Sequence, residues 1–376
     1  MSEYQCYEFV ALDRRLTAKE MAELRSISTR AEITPTRFWN EYQWGDLKAD
    51  PAELLARYFD VHLYFANWGT RRLMFRFPAT SVDSEALGAY LPGGPVTLTT
   101  TGEYVVLDLS SETEDPEDEW WEQGHLAASL TPLRAELLRG DLRAAYLAWL
   151  LAVQEGEVDP TESEPPVPRG LRALSAPLVA LVEFLRIDED LLAVAAESSG
   201  EDGDDASRFR KWVEQLPPRE QQRWLLRAAD NPDLALGSVL LGAFRRAHPA
   251  VADVQRRTVA RLLARAEELE DARRRAAMRQ QEQARAAAAA AREAQLAALG
   301  RRGASAWREL EQLVEARSYD EAVRLVVDLR EVAERATAME EFDRRMAEVR
   351  QRYARRRGFL DRLRRANPTL AGDPAP

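Results

Sequence analysis

Apolar and polar residues recur along this chain in two rhythms, and the change between them falls near residue 130. Before it, short runs of period two predict strands. "YQCYEFVAL" (4–12) and "VHLYFANW" (61–68) are rich in aromatic and β-branched residues. In "RRLMFRFP" Leu73, Phe75 and Phe77 alternate with Arg72, Met74 and Arg76, so one strand face is apolar and the other partly basic. "AEITPTRFWNEYQW", interrupted by Pro35, predicts two short strands or one bent one, and "VTLTTTGEYVVLDLS" a hairpin turning near Thr101–Gly102. Three helices interrupt this region, the last a short one in "SVDSEALGAYL". Thr17 and Glu20 form a capping box, with Leu16 and Met21 placed for a hydrophobic staple and Met21, Leu24 and Ile27 facing inward. In "DPAELLARYF" Asp50 caps, Pro51 takes the first turn and Glu53 is set for a second box. Strand, helix, two strands, helix, strand is the order of a ferredoxin-like βαββαβ core, here with added strands. The expected fold is an α+β N-terminal domain (1–125) followed by mostly α-helical domains.

After residue 130 the spacing becomes helical. Leu133, Leu137, Leu142, Tyr146, Trp149 and Val153 step by three to five, with the irregular step at Gly140. A helical domain is expected over 130–250, with acidic linkers at 155–169 and 198–206. Residues 251–300 predict one long Ala/Arg-rich helix. Its large apolar residues are Val259, Leu262, Leu263 and Leu269, then only Met278 before Leu296. No leucine heptad is sustained, so it can hold domains apart or pair with another chain as a sparsely apolar coiled coil. A three-helix segment follows over 304–366, its last helix striped by Phe342, Met346, Val349 and Tyr353, and 367–376 reads as a disordered tail.

Composition narrows the chemistry. The net charge is −11, with about −17 in residues 1–250 and about +6 in 251–376. Lysine occurs only at positions 19, 48 and 211, so arginine carries nearly all positive charge, as in a GC-rich bacterial genome. No apolar run approaches the roughly 20 residues of a membrane span, and the N-terminus lacks a secretory signal, so a cytoplasmic protein without a membrane partner is expected. Cys6 is the single cysteine, in a strand where an inert buried thiol is expected, and His62, His125 and His248 have no ligand spacing. Phosphate-loop, dinucleotide, nucleophile-elbow and H-E-x-x-H motifs are all absent. The acidic tracts at 112–119, 155–164 and 201–205 lack calcium-loop spacing and read as solvated linkers. No cofactor or metal is expected.

Three groups of residues are candidates for interaction. Arg72 and Arg76 share a strand face with Arg71 at its entry, and Phe38, Trp39, Tyr42 and Trp44 lie in a neighbouring extended segment. Cations beside exposed aromatics bind single-stranded nucleic acid; the alternative is aromatic core packing with the arginines paired to local carboxylates. Trp120 and Trp121 end an acidic run at the junction of sheet and helices. They either pin the junction, in which case at least one is largely buried, or dock a partner. Arg355, Arg356 and Arg357 sit in a basic stretch that suits phosphates or an acidic protein surface. The function expected from this pattern is a non-enzymatic adaptor or scaffold with a protein partner or self-association. The alternative is a nucleic-acid-associated accessory protein, and the third reading is an enzyme with an unrecognised site.

Two regions resemble known proteins. "MSEYQCYEFVALDRRLTAKEMAELRSISTRAEITPTRFWNEYQWGD" with "YFANWGTRRLMFRFP" resembles an uncharacterised bacterial family with no assigned activity. "YDEAVRLVVDLREVAE" with "FDRRMAEVRQRYARRRGFLDRL" resembles the helical tail of some bacterial SWIM zinc-finger proteins. That finger needs three cysteines and a histidine, so its zinc motif is absent here. The resemblance implies a bacterial setting and no mechanism.

Overall fold

The computed structural model describes residues 3–112, 126–200, 205–230, 236–248, 256–367 and 370. It contains two compact units, Met1–Asp271 and Ala272–Pro376.

The first unit is built on a seven-stranded antiparallel sheet: β1 (Gln5–Val10), β2 (Glu32–Thr34), β3 (Arg37–Tyr42), β4 (Val61–Ala66), β5 (Thr70–Pro78), β6 (Val96–Thr101) and β7 (Tyr104–Glu112), in the order β2-β3-β1-β4-β5-β7-β6. The period-two pattern sends alternate side chains to opposite faces. On one face Phe9, Phe38, Met74 and Val106 pack with Leu24 of α1 (Ala18–Ile27) and Leu54, Leu55 and Tyr58 of α2 (Pro51–Tyr58). On the other, Val61, Leu63, Leu73, Phe75, Phe77, Leu107 and Leu109 meet a helical layer. After the short α3 (Ser84–Gly88), this layer comprises α4 (Leu126–Leu130), α5 (Pro132–Leu138), α6 (Arg143–Gln154), α7 (Ala176–Leu185) and α8 (Glu189–Glu197). Every residue of α6 from Ala144 to Val153 is buried, as expected of a helix apolar all round.

Sheet and helices therefore share one core, and the boundary expected near 125–130 does not separate two units. The core continues into α12 (Val259–Arg302), whose Val259 and Leu262 are fully buried in it. Three further helices belong to this unit: α9 (Asp205–Gln215), α10 (Pro218–Asp230) and α11 (Leu236–Ala247).

The segment 155–169 also departs from the solvated linker its composition predicts. Glu164 is 2 % exposed. It accepts from the Tyr146 hydroxyl at 2.5 Å and from two Arg257 nitrogens at 2.8 and 2.9 Å. Its backbone N–H reaches the Arg257 carbonyl at 2.8 Å, and Val259 N–H reaches the Glu162 carbonyl at 2.9 Å. The buried tyrosine hydroxyl requires an acceptor, and Arg257 supplies the countercharge that lets a carboxylate fill that role.

The second unit packs the end of α12 with α13 (Ala304–Glu315), α14 (Tyr319–Arg335), α15 (Met339–Arg352) and α16 (Arg357–Ala366). Four helices stand where three are expected, because the chain breaks after Tyr353. The break lets Phe359 and Leu363 join Phe342, Met346, Val349 and Tyr353 in one core. Of the expected disordered tail the structure describes Asn367 and Leu370, and Leu370 is buried in that core.

Candidate functional site

The β5 arginines are held from within. Arg71 points to the apolar face with Leu73 and is 1 % exposed. Its Nη1 donates to the carbonyls of Glu183 (3.0 Å) and Phe184 (2.7 Å), and its guanidinium lies 5.6 Å from the Phe65 ring centre. These carbonyls belong to the last turn of α7, where helical acceptors lack intrahelical donors and a cation is favoured. On the opposite face Arg76 donates to Asp60 (2.7 Å) and to the Ala56 carbonyl (2.7 Å), and stacks 4.4 Å over Tyr104. Asp60 also accepts from the N–H groups of Leu12 and Asp13. Burial alone would raise the Asp60 pKa; the Arg76 bond, the two N–H groups and the Arg134 charge outweigh it and hold the carboxylate below its ordinary range. Arg134 of α5 completes the cluster through Asp13 (2.6 and 2.9 Å) and the Arg76 carbonyl (2.8 Å), clamping helix to sheet. Arg72 is partly exposed and forks onto Asp108 (2.9 and 2.6 Å).

The aromatics form no common surface beside these arginines. Phe38 is fully buried on one face of β3, Trp39 lies on the other beside Arg37, and Trp44 is 73 % exposed with Arg30 5.9 Å from its ring. Of the two alternatives, internal pairing and core packing describe Arg71, Arg72, Arg76 and Phe38, while Trp44 stays exposed away from them. Trp120 and Trp121 lie outside the described residues.

Arg355, Arg356 and Arg357 occupy the turn into α16, Arg355 and Arg357 exposed and Arg356 half-buried. None of the three side chains makes a hydrogen bond or ion pair with a described residue, whereas nearby Arg352 pairs with Glu311 and Arg362 with Asp320. Arg355 and Arg356 precede, and Arg357 begins, a helix with no side-chain cap and no acid in its first turn, where the dipole already disfavours cations.

Two titratable groups in the sheet are poorly suited to polar chemistry. Burial, with the negative charge of Glu8, pushes the Cys6 thiol up to about 12, away from the nucleophilic thiolate. His62 is fully buried, stacked 4.1 Å from Phe9, with Nδ1 donating to the Glu8 carbonyl at 3.1 Å and Nε2 without a partner. Burial lowers its pKa to about 3, so the ring stays neutral. Among the described residues no group of three or more His, Cys, Asp or Glu is placed to hold a metal ion.

Two cavities were not singled out by sequence, whereas the long α12 was. A cleft of about 630 Å³ opens between β1, β3 and α4–α5, lined by Val10, Leu12, Thr131, Arg134 and the Glu8–Arg37 ion pair (2.6 Å). That size suits a small organic ligand. A smaller cavity of about 130 Å³ lies where Gly140–Arg143, Pro166–Arg169, α9 and α11 meet. Its walls come from five separated parts of the chain, Tyr90 being the fifth, so no local motif marks it. In α12 every residue from 272 to 291 is exposed, Met278 at 57 %. No helix among the described residues is long and apolar enough to cross a membrane. No known protein family, curated protein or solved structure matches this chain.

Proposed function

We propose that the chain is a non-enzymatic adaptor or scaffold acting through protein–protein contacts, in a bacterial cytoplasm. The supporting observation is the exposed stretch 272–291 of α12. A helix in a folded protein draws most of its stability from burying one face, and this stretch buries none within its own chain. Six consecutive alanines (286–291) supply helix propensity instead. About thirty ångströms of helix surface is thereby left to another protein. A photo-crosslinker placed at Met278 in the native host tests this. The expected outcome is one defined adduct, either with a partner or with a second copy. Absence of adducts at Met278, Gln283 and Arg285 alike would reject the reading.

Two finer architectural readings belong here. The order β2-β3-β1-β4, with α1 and α2 crossing on one face, supports a ferredoxin-like core extended by β5, β7 and β6. The packed helices α13–α16 are compatible with the helical tail of SWIM zinc-finger proteins. A second functional reading, nucleic-acid association, is favoured by Arg355–Arg357. Three adjacent cations without internal partners are available to phosphates, with affinity falling steeply as salt rises. Reversing all three to Glu should abolish retention on single-stranded DNA at low salt; unchanged retention would reject this reading.

A further inference from the structure

The second unit holds a cavity of about 200 Å³ between the end of α12 and helices α13, α14 and α15. Its whole lining falls between Leu299 and Arg345, a stretch described throughout. One wall comes from a close helix contact. A Cβ on Gly300 would lie 3.2 Å from Val332 Cγ1, so glycine lets α12 run against α14 here. The chain turns at Gly303, whose φ of +49° suits glycine, and α13 begins at the next residue.

Small side chains leave the space open. Ala333 and Ala336 end α14, Ala338 precedes α15, and all three line the cavity. Their connection is held by its backbone. Thr337 has φ +54°, and the Ala338 N–H donates to the Ala333 carbonyl at 2.8 Å, a closed helix end that keeps the walls apart.

The other walls are apolar and aromatic. Leu299 and Leu329 are buried in the core of the unit. Trp307 of α13 and Phe342 of α15 lie with ring centres 5.7 Å apart and planes at 52°. Only two lining residues carry charge, Glu341 and Arg345, and Arg345 donates to Glu341 at 2.8 Å. The Arg345 guanidinium also lies 5.8 Å from the centre of the Trp307 ring. A charged ligand would leave water here without gaining an unpaired counterion.

Size narrows the class further. An apolar cavity of about 150 Å³ holds benzene, and pockets for whole drug-sized molecules start at roughly 300 Å³. The space therefore fits one ring with a small substituent. Two tilted aromatic walls favour an aromatic ring beyond the area it buries.

We infer that this cavity binds an uncharged, single-ring aromatic compound. Ligand-observed NMR titration of the full chain with benzyl alcohol tests the assignment. The expected result is saturable binding with a dissociation constant of about 1 mM or lower. Benzoate, benzylammonium and cyclohexylmethanol should each bind about fivefold more weakly or worse. Ala338→Leu and Ala336→Leu fill the space and should each weaken benzyl alcohol about tenfold or more. Circular dichroism of each variant checks the fold, and the exposed position of Ala336 keeps the test open if Ala338→Leu does not fold. Ala128→Leu, in the cleft of the first unit, should bind as the parent does. The inference is overturned if benzyl alcohol shows no saturation, or if any of the three comparison compounds binds as tightly. It is equally overturned if the folded Ala336→Leu protein binds as the parent does, or if Ala128→Leu removes binding instead.

Discussion

His62 and Asp60 are neighbours in the sheet region with opposite electrostatic solutions. Asp60 stays charged because Arg76 and two backbone N–H groups replace its water; His62 stays neutral because burial strips water from its charged form and only one of its nitrogens has a partner. The His62 pKa is about 3 in the folded protein against an ordinary 6.5, so below pH 6.5 the unfolded chain binds the additional proton. The associated stability is complete above that value. It declines as pH falls toward 3, by up to about 1.4 kcal/mol per pH unit. Urea unfolding of the parent and His62→Phe between pH 7 and pH 4 should show the variant's stability gaining relative to the parent as pH drops. A difference independent of pH would contradict this. For Asp60, Arg76→Met strands a carboxylate that is 1 % exposed, and the expected loss is about 3–5 kcal/mol. The double variant Arg76→Met/Asp60→Asn should recover much of it, read as a coupling energy in a mutant cycle.

At the scale of elements, the clearest sequence signals were local ones. Both halves of the capping box form at α1, Glu20 N–H to Thr17 Oγ1 at 3.2 Å and Thr17 N–H to Glu20 Oε2 at 2.8 Å. At α2 Asp50 caps alone, taking the N–H groups of Ala52 and Glu53. The β6–β7 hairpin turns at Gly102, whose φ of +62° suits glycine. Each of these depends on residues within a few positions of one another. Arg71 was legible as a strand residue but not as the donor to α7, because its acceptors lie more than a hundred positions away. Glu164 was misread for the same reason, and because its proline-rich acidic surroundings have the composition of exposed chain. Glu164→Gln removes the countercharge of Arg257 and should cost about 3 kcal/mol, seen as a lower denaturation midpoint. In the exposed stretch of α12, Ala288→Gly should cost about 1 kcal/mol of helix stability. Its effect should appear in helical circular dichroism and leave the midpoint of the first unit unchanged.

At the scale of the molecule, the cores of the two units are separate clusters, the second lying wholly within residues 299–370. Scanning calorimetry should therefore resolve two transitions, and a fragment of residues 272–376 should retain the second. One cooperative transition, with a fragment lacking helical signal, would contradict that. The charge asymmetry expected from the sequence has a structural counterpart in the helices after residue 272, where many arginines are paired with acids of the same unit. The buried Glu164–Arg257 pair also sets an order of events during synthesis. Its partners are separated by 93 residues, and at ribosomal speeds that interval lasts on the order of ten seconds. Until Arg257 and the first turns of α12 emerge, the nascent chain holds Tyr146 and Glu164 without their cation. The start of α12 is thus the closing piece of the first unit, and a chain ending before residue 257 should remain a substrate for chaperones.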